Sequence, residues 1–397
     1  MRILTIGMGG AGCRIADSLL SHDRTASAQC IGAVAIDCDA EDLAALLDIE
    51  SSNRLFFLPL DPTQPDDLLA HVPKDEMLSR LQAMDDGDID AVFVCAGLGG
   101  TLASAIPDVA NHIKGAMVEP VFGLCTLPLQ SEDPMRLARA ADQLDSLLPV
   151  LDGVILFDNE AWKGKVPAAP PAGRGKGPLG GVMVGKIRAG TVEEELKNHF
   201  SALNSLIGRR VLLLLRAGEH SYRDPGEMPE MVLDAGEVLN TIEGTGLVTL
   251  GYAREEVAPA RPFRHLLGVA PRDLPVQECH VKASRVVDLA RKAVFEEIST
   301  PTALEKVKKA LVLVAGPSHE MSMKGFMAVR KWLDRSIGGL ELRAGDYPVR
   351  ETRYLGILVV LAGMDTLPRV EELREIRARI KKEGGLTPDP GESGRTE

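Results

Sequence analysis

Short apolar runs alternate with amphipathic stretches along the first 160 residues. MRILTIG at the start, IGAVAID (31–37), DAVFVCAG (90–97), EPVFGLCTLP (119–128) and DGVILFDN (152–159) are apolar at consecutive positions rather than at every second one. That pattern predicts strands covered on both faces. CRIADSLLSH, AEDLAALL, IPDVANHIKGAM and DPMRLARAADQLDSLLP lie between them with apolar residues three and four apart, the spacing of helices with one buried face. The alternation predicts an α/β fold with a doubly wound, mostly parallel sheet. Ligands of such sheets bind at the carboxyl ends of the strands, where the glycine-rich and polar turns of this half all fall.

The second half changes character. Residues 163–190 are rich in Pro and Gly with several basic residues, which predicts a long flexible insertion. TVEEELKNHFSALNSLI (191–207) has helical spacing with acids in its first turn, where the helix dipole favours them. A polar stretch, AGEHSYRDPGEMPE, then precedes MVLDAGEVLNTIEG. From about residue 262 the helix-like ASRVVDLARKAVFEEI and MKGFMAVRKWLDRSI accompany three strand-like runs, KALVLVAGP, GLELRAGDYP and YLGILVVLAGM. GGLTPDPGESGRTE (384–397) has no apolar anchor and is expected to be disordered. The chain thus divides into a first domain over 1–190, a central helix and loop region over 191–240, a smaller α+β C-terminal domain over 241–383 and the tail.

Composition narrows the partners. A 397-residue chain suits two domains, and 45% hydrophobic with 26% charged residues is the balance of a soluble globular protein. The net charge of −12 disfavours nucleic acid and anionic membrane surfaces. Six cysteines without a C-x-x-C pair fit a reducing cytoplasm with neither disulfides nor structural zinc. MRILTIGMGG reads as a first strand rather than a signal peptide, and no run is long enough to cross a bilayer.

Two glycine clusters carry the candidate chemistry. IGMGGAGCRIADSL satisfies G-x-G-x-x-G through Gly7, Gly9 and Gly12 between a strand and a helix, so backbone amides could face a phosphate at the helix N-terminus. The bland reading is a tight strand-to-helix turn. Asp37, ending the second strand, would suit the ribose contact of a dinucleotide-binding oxidoreductase. That reading leaves the second cluster, AGLGGTLASAIP (96–107), without a purpose and finds no catalytic constellation. A nucleotide whose phosphates are held from two sides accounts for both.

GMGGAG paired with GLGG-T resembles the tubulin/FtsZ superfamily of GTPases. ILFDNEAW, LNTIEGTGLVTLGYA and VAGPSHEMSMKGFMAVRKWL running on to LRAGDYP resemble its archaeal tubulin-like CetZ branch, in order along nearly the whole chain. The resemblance implies a GTP/GDP site, with Mg²⁺ as an accompanying ion. Gly9, Gly10, Ala11, Gly12 and Cys13 would wrap the phosphates from one side, and Gly99, Gly100 and Thr101 would cradle them from the other. Glu132 and Arg136, one helical turn apart, would serve the ribose and phosphate end, although a surface ion pair accounts for them equally. Asn159 and Glu193 would meet the guanine edge. Asp234 and Glu237 would enter the pocket of the next subunit in a head-to-tail filament and orient the attacking water. Their bland reading is two solvated acids at a helix start.

Three departures from the family pattern fall near the phosphates. The second loop is one residue short and carries Leu102, Ala103 and Ala105 in place of glycines. NRLFFLPLDPTQPDD stands where a glycine-rich loop is usual, with prolines that lack a donor and an added acid. Glu193 replaces an asparagine. The sequence therefore predicts a cytoplasmic, tubulin-like filament protein concerned with cell shape, with weakened nucleotide binding and slow or absent GTP hydrolysis. The alternative is a nucleotide-poor member of the fold that regulates the filaments of a related tubulin-like protein.

Overall fold

Strands and helices alternate from the first residues onward. In order they are β1 (Ile3–Met8), α1 (Gly9–Arg24), β2 (Ile31–Asp37), α2 (Ala40–Ala44), β3 (Arg54–Phe56), α3 (Pro65–Ala70), α4 (Lys74–Met84), β4 (Ala91–Gly97), α5 (Ile106–Lys114), β5 (Val121–Leu127), α6 (Pro134–Leu147) and β6 (Gly153–Asp158). The chain continues through α7 (Val192–Arg216), α8 (Ala235–Ile242), β7 (Leu247–Glu256), α9 (Val276–Phe295), β8 (Lys309–Gly316), α10 (Met323–Ser336), β9 (Glu341–Pro348), β10 (Tyr354–Met364) and α11 (Pro368–Gly384). The structure, a computed structural model, describes every residue except 26–28, 60–64, 166–191, 217–229, 258–275, 340, 350–351 and 385–397. The predicted insertion, apart from residues 163–165, and the tail beyond Gly384 lie outside the described residues.

All ten strands form one sheet in the order β3-β2-β1-β4-β5-β6-β7-β10-β8-β9. The run from β3 to β7 is parallel; β10 lies antiparallel between β7 and β8, and β9 is parallel to β8. The doubly wound sheet and the C-terminal α+β part are therefore both present, but the second part continues the first part's sheet. The join is narrow: β6 and β7 pair only through Val154–Leu247 and Ile155–Val248.

Alternate residues of the buried strands feed two apolar layers. Ile3, Phe93, Phe122, Ile155 and Leu358 pack with α1, α7 and α8 on one face. Leu4, Ile6, Val92, Val94 and Val359 pack with α4, α5, α6, α9, α10 and α11 on the other. Within α7, Leu203, Ile207, Val211 and Leu214 face the sheet at helical spacing. Arg210 on the same stripe is 1% exposed, with its guanidinium 4.5 Å from the Trp162 ring and 3.5 Å from the Glu297 carboxylate. Burial pulls its pKa down to about 10. Local chemistry starts the helices: Asp39 caps α2, Asp133 caps α6 ahead of Pro134, and Ser322 caps α10.

The last helix, α11, lies on α6. Arg374 bonds Asp145 at 2.6 Å, Arg377 bridges Asp145 and Asp142 at 2.7 and 3.0 Å, and Lys381 reaches Asp142 at 3.2 Å. Arg369, 6% exposed, donates to the Pro128 carbonyl at 2.9 Å and sits 3.5 Å from Asp158 at the end of β6. No described helix is long and apolar enough to cross a membrane.

Candidate functional site

The strand order reverses between β1 and β4, which places a crevice beyond the carboxyl ends of those two strands. Both glycine clusters begin there. Gly9 opens α1 with φ +70°, a conformation that residues with a Cβ rarely adopt. A Cβ built on it would stand 3.6 Å from Leu102 of the second loop, so the two loops lie side by side. Behind them a Cβ at Gly12 would collide with the Cys95 carbonyl, and one at Gly97 would lie 2.8 Å from Ala11 Cβ. Glycine is needed at these two positions because α1 is pressed onto β4.

The N-cap of α1 is Met8, which offers no side-chain cap, so the amides of the first turn have no capping acceptor. Gly9, Gly10 and Ala11 are partly exposed at this open end, whereas Gly12 and Cys13 are buried behind it. The Cys13 thiol points inward to the Gly7 and Ile36 carbonyls at 3.3 and 3.5 Å, and burial raises its pKa. Of the five residues predicted to wrap a phosphate, three therefore stand at the mouth, and the Cys13 side chain is turned away from it.

In the second loop, residues 101–105 form a 3-10 turn in which the side chains of Leu102, Ala103 and Ala105 are buried in the apolar layer. No described non-glycine residue has a positive φ, and the one position of this loop that does, at +88°, is Gly99. The predicted donor at Gly99 is already used. Its amide donates to Gln143 Oε1 at 2.7 Å, and the Gly100 amide makes a 3.3 Å bond to the Gly97 carbonyl. Gln143 Nε2 in turn donates to the Gly100 carbonyl and to Ser104 Oγ at 2.7 and 2.8 Å. Thr101, partly exposed, begins the turn.

Glu132 and Arg136 do pair, at 3.0 Å, with Glu132 just before the cap of α6 and Arg136 in its first turn. Glu132 Oε1 also accepts from the Leu129 amide at 2.7 Å, and the Arg136 backbone and Cγ wall the back of Gly99. Asn159 follows β6 on the same sheet edge. It is 7% exposed, and its Oδ1 is buried without a hydrogen-bond partner. Asp37, at the end of β2, spends one oxygen on the Cys38 and Asp39 amides while Oδ2 is likewise buried and unpartnered. Burial raises the Asp37 pKa against the pull of those two amides. Buried polar atoms without partners are unusual and mark places where a ligand or water can complete the pairing. Asp42 and Arg14, which the sequence did not single out, pair at 2.9 Å directly over Gly10.

Asp234 and Glu237 lie elsewhere. They form a reciprocal capping box at the start of α8: Asp234 Oδ1 accepts from the Glu237 amide at 2.7 Å, and Glu237 Oε2 accepts from the Asp234 amide at 3.3 Å. Glu237 also faces Arg343, the third residue of β9, at 3.5 Å. β9 is six strand spacings from β4, roughly 29 Å across the sheet, and Arg343 belongs to its starting half. One chain cannot bring these acids to its own glycine loops. Glu193 is the second residue of α7, and its side chain lies outside the described residues.

Comparison with known proteins identifies the fold and the family. Residues 2–167 match the model of the Tubulin/FtsZ family GTPase domain, and residues 193–379 match that of the tubulin-like CetZ C-terminal domain. Tubulin-like protein CetZ2 of Haloferax volcanii is 30% identical over 395 residues, covering 96% of this chain and 92% of its own. CetZ1 of the same organism is 29% identical over 391 residues, 95% and 91% of the two chains. The GDP-bound monomer of CetZ1 from Haloferax volcanii has a TM-score of 0.73 at 25% identity, covering 96% of this chain and 100% of that one. The GTPγS-bound protofilament of CetZ2 has a TM-score of 0.73 at 26% identity, covering 97% and 100%. The chain belongs to the tubulin/FtsZ family, within its tubulin-like CetZ branch.

Proposed function

We propose that the chain binds GDP and GTP in the crevice beyond β1 and β4 and associates head to tail into filaments in the cytoplasm, where they serve cell shape. The observation that carries this reading is the side-by-side placement of the two glycine loops at the uncapped start of α1, with Asp234 and Glu237 held far across the sheet. The open amides of Gly9, Gly10 and Ala11 face the phosphates, with Thr101 at the other wall and Asn159 Oδ1 accepting from the guanine edge. The acids of one subunit reach the pocket of the next; such a heterologous contact does not close and so propagates. The relatives with matching folds include a GDP-bound monomer and a GTPγS-bound protofilament, which supports both halves of the reading.

Mg²⁺ accompanies the triphosphate. The described residues hold no group of three or more His, Cys, Asp or Glu side chains placed to bind a metal, so phosphate oxygens and water supply most of its ligands. Hydrolysis is slow, because the Gly99 and Gly100 amides are engaged within the protein and the Asp42 carboxylate stands at Gly10. The same two observations favour a second reading, a nucleotide-poor member that binds and regulates a relative's filaments. Calorimetry with GDP and GTP decides: the first reading requires saturable binding, and its absence, together with monomers in electron micrographs at every concentration, leaves only the second.

A further inference from the structure

Gln143 is a polar side chain in an apolar layer. It lies on α6, is 3% exposed, and all three of its described side-chain bonds go to a single loop more than 35 residues earlier in the chain. Burying a carboxamide is unfavourable unless its acceptor and both donors are used. Here the acceptor takes the Gly99 amide, and the two donors go to the Gly100 carbonyl and Ser104 Oγ. Arg139, one turn earlier, adds a 3.4 Å bond to the Gly99 carbonyl.

We propose that Gln143 is the positioning residue of the phosphate loop, fixing from behind a segment that has too few glycines to be shaped by backbone freedom alone. Resting on the nucleotide reading above, Gln143 touches no ligand atom and acts only through the loop. Its three bonds span the positive-φ turn at Gly99 and the 3-10 turn that follows, so they set where Thr101 and the amides after it stand relative to Gly9. Without them the Gly99 amide and Gly100 carbonyl lose their interior partners, and the loop leaves the geometry that meets α1. The effect belongs at the polyphosphate end of the ligand and not at the base, which Asn159 serves from another strand.

The experiment is calorimetric titration of the full chain, freed of nucleotide, with GDP and separately with GMP. Gln143→Met preserves volume and removes all three bonds. It is expected to weaken GDP binding about tenfold or more while changing GMP binding less than about threefold. A folded Gln143→Met protein that binds GDP as tightly as the unaltered chain overturns the assignment, as does equal weakening of GDP and GMP. Should that variant lack a cooperative melt, Ser104→Ala deletes one of the three bonds; about threefold weaker GDP binding is expected, and none at all overturns the assignment. Failure of the unaltered chain to bind GDP removes the nucleotide reading and the assignment together, a result plainly different from a variant that matches its parent.

Discussion

A Cβ at Gly10 would collide with the Asp42 carboxylate, so the open end of α1 already shares its space with a negative charge. Arg14 holds that carboxylate at 2.9 Å, but both side chains are more than a third exposed and the pair is well screened. Diphosphate and triphosphate should feel Asp42 differently, because the extra phosphate adds charge of the same sign. Asp42→Asn is expected to raise GTP affinity relative to GDP by about three- to tenfold at fixed Mg²⁺; an unchanged ratio in paired titrations would place Asp42 away from the terminal phosphate. Asp158 behaves differently. Burial lifts its pKa to about 6 despite Arg369 nearby, so the folded protein holds this proton more tightly than the unfolded chain does. Its contribution is therefore full below about pH 4 and lost as pH rises through 6, a change of up to about 3 kcal/mol. Urea unfolding at pH 4.5 and 7.5 should show that slope, and Asp158→Asn should flatten it. Neither Gln143 nor Asp158 was legible in the sequence, since each is defined by partners far away along the chain, whereas the glycine clusters are defined by local spacing.

Among the elements, α8 shows how two readings of the same acids can both be examined. D-x-x-E ahead of an apolar run is a capping-box signature, and that is how Asp234 and Glu237 are arranged. Asp234→Ala should cost about 1 kcal/mol of stability through loss of the cap. Asp234→Ser retains a cap but not a carboxylate; it should melt like the unaltered chain while losing whatever GTP turnover that chain has. Normal turnover in Asp234→Ser would leave the residue with capping alone. The long, uniformly apolar strands and the amphipathic helices between them were legible because burial on two faces and on one leaves different periodicities. β3 was not, because three residues carry too little pattern, and neither was α11. That helix buries only a narrow stripe, with Val370 and Leu373 buried and Ile376 partly so, among charges that pair with α6. The shortness of α2, which stops at Ala44 although AEDLAALL continues, reflects the turn that Asp17 holds by accepting from the Leu47, Asp48 and Ile49 amides.

At the scale of the whole molecule, the proposed division of labour between glycine loops and acids would make any GTP turnover a property of pairs of chains. Activity per chain should rise with protein concentration. Mixing a Gly10→Val chain, blocked at the first loop, with an Asp234→Ser chain should restore activity at about a quarter of the interfaces, where an intact loop meets an intact acid. No recovery, measured as phosphate release, would show that both defects act within one chain. The sequence predicted a doubly wound sheet in its first part and three strand candidates in its last, and those strands are present; what the periodicities could not convey was that β7 pairs with β6 and carries the sheet onward, since pairing partners leave no periodic trace.

That two-rung junction between β6 and β7 has a mechanical meaning. Between β5 and β6 the ladder runs over six residue pairs, but β6 and β7 pair directly over two. Residues 298–300 fill the gap: the Ser299 amide donates to the Leu250 carbonyl at 2.8 Å, its carbonyl accepts from the Asp158 amide at 2.9 Å, and Thr300 Oγ1 donates to the Leu156 carbonyl at 3.0 Å, so an inserted segment joins the two halves. A twist of one half of a subunit against the other would therefore load the bonds of this inserted segment, with Ser299 at its centre, rather than one continuous ladder.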